Sequence, residues 1–206
     1  MIRKFALFLS YLFHPLLLTT LLIGSLYLYI PEVIRPINPD TIRQIMILIS
    51  ALTFVIPLCS ILVMKLLGSI ESLHMRSRKE RILPFFFIGI YYSVTTYLFV
   101  SRLPFSDVLL AIFGGVTLLI FISTFITLFM KISIHSAGIW GIVGFTLALH
   151  LKVPVAGLFI PMIVSLLLAG VVSSSRLFLN EHTPRQVYVG AVTGFLICFS
   201  AMFLIS

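Results

Sequence analysis

Long apolar intervals without a charged residue dominate the chain. Six of them reach 20 residues or more, at 5–31, 44–64, 82–101, 108–130, 153–175 and 186–206. One helix needs about 20 predominantly apolar residues to cross the hydrocarbon core of a bilayer. The pattern therefore predicts six membrane-spanning helices.

A seventh apolar interval, 136–149, has only 14 residues. It spans a bilayer only if its helix begins near Ser133 and runs to His150, so a re-entrant segment is the alternative. The His14-Pro15 pair predicts a bend in the first helix, because proline removes a backbone donor. We expect an all-α polytopic transmembrane bundle of about seven helices, or six if one segment is re-entrant.

Composition excludes a water-soluble protein of this size. Of the 206 residues 60% are hydrophobic and 10% charged, and the mean hydropathy is +1.20. A soluble chain this small cannot bury so many helices that are apolar all round. The short loops and the absence of a repeat predict one integral membrane domain over 1–206. We expect a multi-pass protein of the inner (plasma) membrane of a bacterium. The N-terminal apolar run is too long for a cleaved signal and predicts a retained anchor.

The net charge of +8 lies mostly on one face. If seven helices cross, the face holding the N-terminus carries ten of the fourteen basic residues and the other face four. The positive-inside rule would make the first face cytoplasmic. Phosphate chemistry would recruit several of the same charges, so the sidedness stays open.

Three loops on that basic face each precede an apolar helix: RSRKERILPF, KISIHSAG and SSRLFLNEHTPRQ. Pro84 indicates a helix start in the first, and Ser133 and Ser136 flank His135 in the second. Helix starts expose unpaired N–H groups and the positive end of the macrodipole. Three such starts side by side, with arginine, lysine and histidine, predict a phosphate site.

The third loop predicts its own helix start. Thr183-Pro184-Arg185-Gln186 is typical of a capping box, with Thr183 as N-cap, proline at the first helical position and Gln186 reaching back. His182 then lies just outside a helix N-terminus. Arg176, six residues earlier, meets the same anion if the loop folds back.

An arginine or histidine alone at a membrane interface is more often an anchor or a head-group contact. The recurrence in three loops resembles the type 2 phosphatidic acid phosphatases, the membrane branch of the vanadium haloperoxidase-like superfamily. Their motifs are KxxxxxxRP, PSGH and SRxxxxxHxxxD. Ser175-Arg176, five residues and His182 match the third motif, and Ser133-x-His135 matches part of the second. The resemblance covers about residues 76–190.

The first motif is degenerate. Aligning on Pro84 puts Arg76 at the lysine and Leu83 at the arginine, whereas aligning on Arg81 leaves His74 at the lysine. Ile132 and Ile134 replace the proline and glycine of the second motif, which removes backbone freedom near the phosphate.

The resemblance implies a lipid phosphate or lipid pyrophosphate phosphatase that acts through a phosphohistidine. His182 is then the nucleophile and His135 the general acid. It needs no metal and no other cofactor, since cationic side chains bind the phosphate. The cationic side chains implied for that role are Arg76, Lys79, Arg81 and Arg176, and Ser133 is implied as a hydroxyl donor to the phosphate.

Gln186 replaces the aspartate that orients the nucleophilic histidine in the family. A glutamine carbonyl can fix the tautomer but supplies no charge. The alternative is therefore a catalytically weak or inactive relative that binds phosphorylated lipids. Glu181 is a candidate substitute for the missing carboxylate.

Other function classes fit less well. Haem needs facing histidine pairs, but His74, His135 and His182 cluster in loops on one face. A transporter or channel favours ionisable groups at the bilayer midplane, and the apolar intervals contain no charge. The expected partners are a phosphorylated lipid and the membrane, with no nucleic acid and no obligatory protein partner.

Overall fold

In the computed structural model, residues 2–35, 39–73, 75, 77–102, 106–153 and 156–204 are described, and they contain helices and no strand. The predicted all-α class is confirmed. The α-helices are α1 (Ile2–Leu12), α2 (Pro15–Tyr29), α3 (Ile42–Ser50), α4 (Ile56–Leu66), α5 (Lys79–Arg102), α6 (Asp107–Phe129), α7 (Ile134–Lys152), α8 (Phe159–Phe178) and α9 (Pro184–Phe203).

Six helical segments of the described chain are long and apolar enough to span a membrane. A π-helical turn, Ala51–Val55, joins α3 and α4 into one of them, Ile42–Leu66; the other five are α5 to α9. The pair α1 and α2 makes a seventh if it counts as one span. The predicted multi-pass membrane bundle is therefore observed in the described residues.

The break between α1 and α2 lies at the predicted position. The two helices meet at an angle of 70°. His14 caps α2 by accepting a hydrogen bond from the backbone N–H of Leu16, and Pro15 follows at the first helical position. Proline fits there because its missing N–H has no partner in the first turn of a helix.

The short interval 136–149 is part of one continuous helix that is long and apolar enough to span a membrane. Helix α7 extends beyond it at both ends, over Ile134–Lys152. Ser133 starts the helix by accepting the backbone N–H of Ser136. More than half of this span is buried inside the protein, the largest share among the six, so neighbouring helices cover much of the surface that lipid would otherwise cover.

Pro84 does not mark the start of its helix, and that prediction is wrong. Helix α5 begins five residues earlier, at Lys79, and Pro84 lies inside it. Ser77 Oγ accepts the backbone N–H of Glu80 and donates to its carboxylate, which satisfies the helix start. Pro84 then removes only one bond near the N-terminus, to the carbonyl of Glu80.

Glycines bring α7 and α9 into close contact, since small residues let two helix backbones approach. A Cβ at Gly190 would lie 2.5 Å from the carbonyl oxygen of Ser133, and one at Gly194 would overlap the backbone of Ala137. The backbone N–H of Ser133 also donates to the carbonyl of Gln186 at 3.2 Å. The starts of α7 and α9 are thereby held side by side.

Candidate functional site

Basic and histidine side chains from distant parts of the chain meet at one end of the bundle. We call this group the cationic rim: Arg81, Lys131, His135, Arg176 and His182. Each of them lies in electrostatic range of at least one other member. The three loops that the sequence singled out therefore converge.

A turn of the chain after α8 brings His182 back toward Arg176. Asn180 adopts the left-handed conformation, with φ 56°, and donates its N–H to the carbonyl of Leu177. The N–H of Glu181 donates to the carbonyl of Arg176. These two bonds form a Schellman motif, which ends the helix and reverses the chain.

The predicted capping box at the start of α9 is present. Thr183 Oγ1 accepts the N–H of Gln186, and Gln186 Oε1 accepts the N–H of Thr183. The same Oε1 lies 3.0 Å from Nδ1 of His182. A carbonyl oxygen only accepts, so Nδ1 carries the proton and Nε2 keeps its lone pair. Gln186 thus occupies the orienting position that the sequence assigned to it.

His182 is buried and neutral. Burial is the main cause that lowers its pKa, to about 4. The hydrogen bond with Gln186 raises the pKa, while the charges of Arg81, Lys131 and Arg176 lower it. An unprotonated imidazole is the form that a nucleophile needs.

Arg176 is almost completely buried, at 9% exposure. Nη1 donates to the hydroxyl of Ser10 at 2.9 Å, and Nη2 lies 3.8 Å from Oε2 of Glu181. Within the described part of the chain, its Nε is buried without a hydrogen-bond partner. A buried, unsatisfied guanidinium donor is the kind of group that an anionic oxygen would satisfy.

His135 lies in the first turn of α7. Its Nε2 is 3.1 Å from the carbonyl oxygen of Ser10, and its ring contacts that of His14 edge to face, with centroids 5.8 Å apart. It lies in electrostatic range of both Arg176 and His182. The two histidines of the proposed pair are therefore on the same side of the bundle.

Arg81 joins two of the loops. Its Nε donates to the carbonyl of Met75 at 2.9 Å, and Nη1 donates to the carbonyl of Ile132 at 3.2 Å. Its side chain is buried, at 8% exposure. Of the two alignments of the first motif, the one on Arg81 places a buried arginine in the cationic rim.

The other predicted phosphate ligands are placed differently. Ser133 is fully buried and its Oγ caps α7, so that oxygen already accepts one bond. Lys79 is exposed at the first residue of α5 and is not a member of the cationic rim. Arg76 lies outside the described residues, as does His74.

Lys131 and Ser10 are members of the site that the motifs did not indicate. Lys131 Nζ donates to the carbonyl of Glu181, and burial is the main cause that lowers its pKa. The sequence signal that could have placed Lys131 in the site is its position four residues before His135. Glu181 pairs with Arg176, whereas Gln186 bonds His182, so the suggested substitution of Glu181 for the orienting carboxylate does not match this geometry.

The arrangement combines what phosphoryl transfer needs. It offers a neutral imidazole whose Nε2 keeps its lone pair, a second imidazole on the same face, and buried guanidinium groups that can hold phosphate oxygens. In the described residues, no group of three or more histidine, cysteine, aspartate or glutamate side chains is placed to bind a metal ion.

Comparisons with protein-family models, with curated proteins and with solved structures find no match to this chain.

Proposed function

We propose that the protein is a membrane-embedded phosphatase of lipid phosphates or lipid diphosphates, acting through a phosphohistidine in the inner membrane of a bacterium. The observation that carries the proposal is the meeting of His135, His182, Arg81 and Arg176 at one end of the bundle. These residues come from three loops distant in sequence, and they supply a nucleophile, an acid and anion-binding donors.

In the proposed first step, Nε2 of His182 attacks phosphorus. An N–P bond forms, the bond from phosphorus to the leaving oxygen breaks, and His135, which enters the step as an imidazolium, gives that oxygen its Nδ1 proton. In the second step water attacks the phosphohistidine, the N–P bond breaks, and His135 takes the proton from the water. Arg81 and Arg176 stabilise the charge on the equatorial oxygens.

A lipid substrate is supported by an apolar groove between α2, α7 and α8. It begins at Phe13, next to His14 at the rim, and continues toward Tyr29 at the other end of α2. Helix α2 is about 21 Å long at ~1.5 Å per residue. A hydrocarbon chain in this groove would leave its head group at the cationic rim. The groove is lined along its length by Leu18, Leu22, Ile139, Ile142, Val164 and Leu168.

The second candidate is a protein that binds phosphorylated lipids without hydrolysing them. The observation in its favour is the neutral amide of Gln186 behind His182, where a carboxylate would stabilise the imidazolium that develops. Both candidates use the same anion-binding groups.

The experiment is phosphate release by the purified protein in detergent or liposomes. The substrates are phosphatidic acid, phosphatidylglycerol phosphate, undecaprenyl diphosphate and a lipid A phosphate, with a water-soluble phosphate monoester for comparison. We expect turnover of at least one lipid, inhibition by vanadate, and loss of turnover in His182→Ala. Binding of a lipid phosphate without any release would favour the second candidate, and equal turnover by His182→Ala would refute the nucleophile.

A further inference from the structure

Ser10 of α1 contacts two of the side chains that the proposed reaction uses. Its carbonyl oxygen is 3.1 Å from Nε2 of His135, and its hydroxyl oxygen accepts a hydrogen bond from Nη1 of Arg176 at 2.9 Å. Ser10 is 125 residues from the first partner and 166 from the second. A helix outside the three loops therefore contributes directly to the site.

The hydroxyl of Ser10 is oriented for this contact. Its proton is donated to the carbonyl of Ala6, one turn earlier in α1, at 2.9 Å. The lone pairs of the same oxygen are then available to Arg176, so the hydroxyl acts as an acceptor toward the guanidinium. Ser10 itself is buried, at 7% exposure.

The contact limits how the guanidinium of Arg176 can turn. Ser10 holds Nη1 at one end of the planar fork, and Glu181 lies near Nη2. The Nε–H is left buried and, among the described residues, without a partner. Because the five donors of arginine form a rigid plane, fixing the Nη groups sets the direction of the remaining donor.

The carbonyl of Ser10 has a parallel effect on His135. A carbonyl only accepts, so Nε2 of His135 carries a proton that stays with Ser10, and Nδ1 is the nitrogen that gives and takes a proton in the proposed reaction. His182 is restrained through Nδ1 by Gln186, and among the residues that the structure describes its Nε2 has no hydrogen-bond partner. Each histidine of the pair is thus held through one ring nitrogen and open at the other.

We propose that Ser10 is a positioning residue of the site, whose hydroxyl aims Arg176 at the phosphoryl group while its carbonyl sets the tautomer of His135. The proposal rests on the proposed function for its substrate, but the anion-binding part of it is testable without turnover. The alternative is that Ser10 has only a structural role, in which its hydroxyl bonds the preceding turn of its own helix.

Ser93 provides a matched control for that alternative. It lies on α5 and donates its hydroxyl to the carbonyl of Gly89 at 2.8 Å, the same bond to the preceding turn that Ser10 makes. It is partly buried and lies twelve residues, more than three helical turns, beyond Arg81 on the same helix. A purely structural serine should respond to alanine substitution as Ser93 does.

The experiment compares wild type, Ser10→Ala, Ser10→Thr and Ser93→Ala. The measurements are vanadate affinity, kcat and KM for the best lipid phosphate of the panel, and the thermal unfolding temperature in detergent. We expect Ser10→Ala to weaken vanadate binding and lower kcat/KM by about tenfold, as for loss of a hydrogen bond to a charged group. Its unfolding temperature should lie at or below that of Ser93→Ala, because Nη1 of the buried Arg176 loses its partner. Ser10→Thr keeps the hydroxyl and should retain most of the vanadate affinity and kcat/KM that Ser10→Ala loses.

Equal vanadate affinity and kcat/KM in Ser10→Ala and Ser93→Ala would overturn the role of Ser10 and leave the phosphatase proposal standing. If wild type binds vanadate but releases no phosphate, and Ser10→Ala binds it about tenfold more weakly, the phosphatase proposal fails and the role of Ser10 is supported. Wild type that neither binds vanadate nor releases phosphate would overturn both. If Ser10→Ala does not fold, Ser10→Cys, which is similar in size but a weak acceptor, replaces it.

Discussion

The side-chain oxygen Oε1 of Gln186 lies 3.0 Å from Nδ1 of His182, and the same oxygen accepts the backbone N–H of Thr183. One amide therefore closes the start of α9 and fixes the tautomer of the histidine. The second bond identifies the oxygen as the atom that faces the ring, because only an oxygen can accept from Thr183. The capping box and the candidate nucleophile are parts of one structure.

Substituting Gln186→Asp should raise turnover by about tenfold or more. A carboxylate at this position supplies the negative charge that stabilises the developing imidazolium, which an amide lacks. The rate of phosphate release from the best lipid substrate measures the effect. Gln44→Asp is the control, since it makes the same substitution at an exposed position in the first turn of α3, remote from the cationic rim, and it should change the rate by less than about twofold. A clear loss in Gln186→Asp would mean that the glutamine geometry is itself required.

The pH dependence of kcat/KM should have its acid limb near pH 4. Burial lowers the pKa of His182 to about 4, so the imidazole stays neutral through pH 6.5, the ordinary histidine value. It becomes protonated, and loses its nucleophilic lone pair, only as the pH approaches 4.

Gln186→Asp tests the sign of this effect. A carboxylate beside the ring favours the imidazolium, so the pKa of His182 rises and the acid limb moves to higher pH. Profiles of wild type and variant on one substrate are compared, since ionisation of the substrate then affects both equally. Two coincident acid limbs would contradict the assignment of His182.

The packing of α7 against α9 should be sensitive to one added methyl group. Gly190→Ala would place its Cβ against the carbonyl of Ser133, and Gly194→Ala would place it against the backbone of Ala137. Overpacking of this kind costs about 1–3 kcal/mol and should separate the starts of the two helices. We expect both variants to unfold at lower temperature in detergent and to release phosphate more slowly.

Gly170→Ala is the matched control for these variants. Gly170 lies in α8, and a Cβ there meets nothing within 4 Å. Replacing a helical glycine by alanine in open space favours the helix by about 0.5–1 kcal/mol. The control should unfold at the same or a higher temperature. A similar fall of the unfolding temperature in all three variants would show that close contact between α7 and α9 is not the cause.

Features set by neighbouring residues were predictable from the sequence. The capping box at Thr183 and the bend at His14-Pro15 each depend on a short local pattern. The meeting of the three loops on one face followed from counting spans, since alternate loops of a polytopic bundle share a side.

Features that depend on tertiary packing were not predictable from a single sequence. Ser10 lies in an apolar run and belongs to no motif, and only the fold brings it to His135 and Arg176. Pro84 gave the wrong start for α5 because Ser77 caps the helix earlier in the chain. Its hydroxyl bonds both the backbone N–H and the carboxylate of Glu80. The sequence left 136–149 open between a full span and a re-entrant segment, and the structure has one continuous helix there, Ile134–Lys152.

Arg81 should not tolerate replacement by lysine. Its guanidinium bonds two carbonyls at once, those of Met75 and Ile132, and so connects the loop before α5 to the loop before α7. Lysine keeps the charge but presents a single ammonium on a flexible stem, which cannot hold both bonds in one plane. We expect Arg81→Lys to lower vanadate affinity and kcat/KM by at least about tenfold, since hydrogen bonds to charged groups are each worth about 1.5–3 kcal/mol.

Arg185→Lys separates this effect from a general loss of arginine at the same end of the bundle. Arg185 is exposed in the first turn of α9, so its guanidinium has no buried geometry to preserve, and its variant should stay within about twofold of wild type. Because both substitutions keep the net charge, any difference between them reports the fixed bonds of Arg81 rather than attraction of an anionic lipid to a basic surface. Identical vanadate affinities in the two variants would show that the rim attracts phosphate by charge alone, and the role of Arg81 as an oriented ligand would be lost.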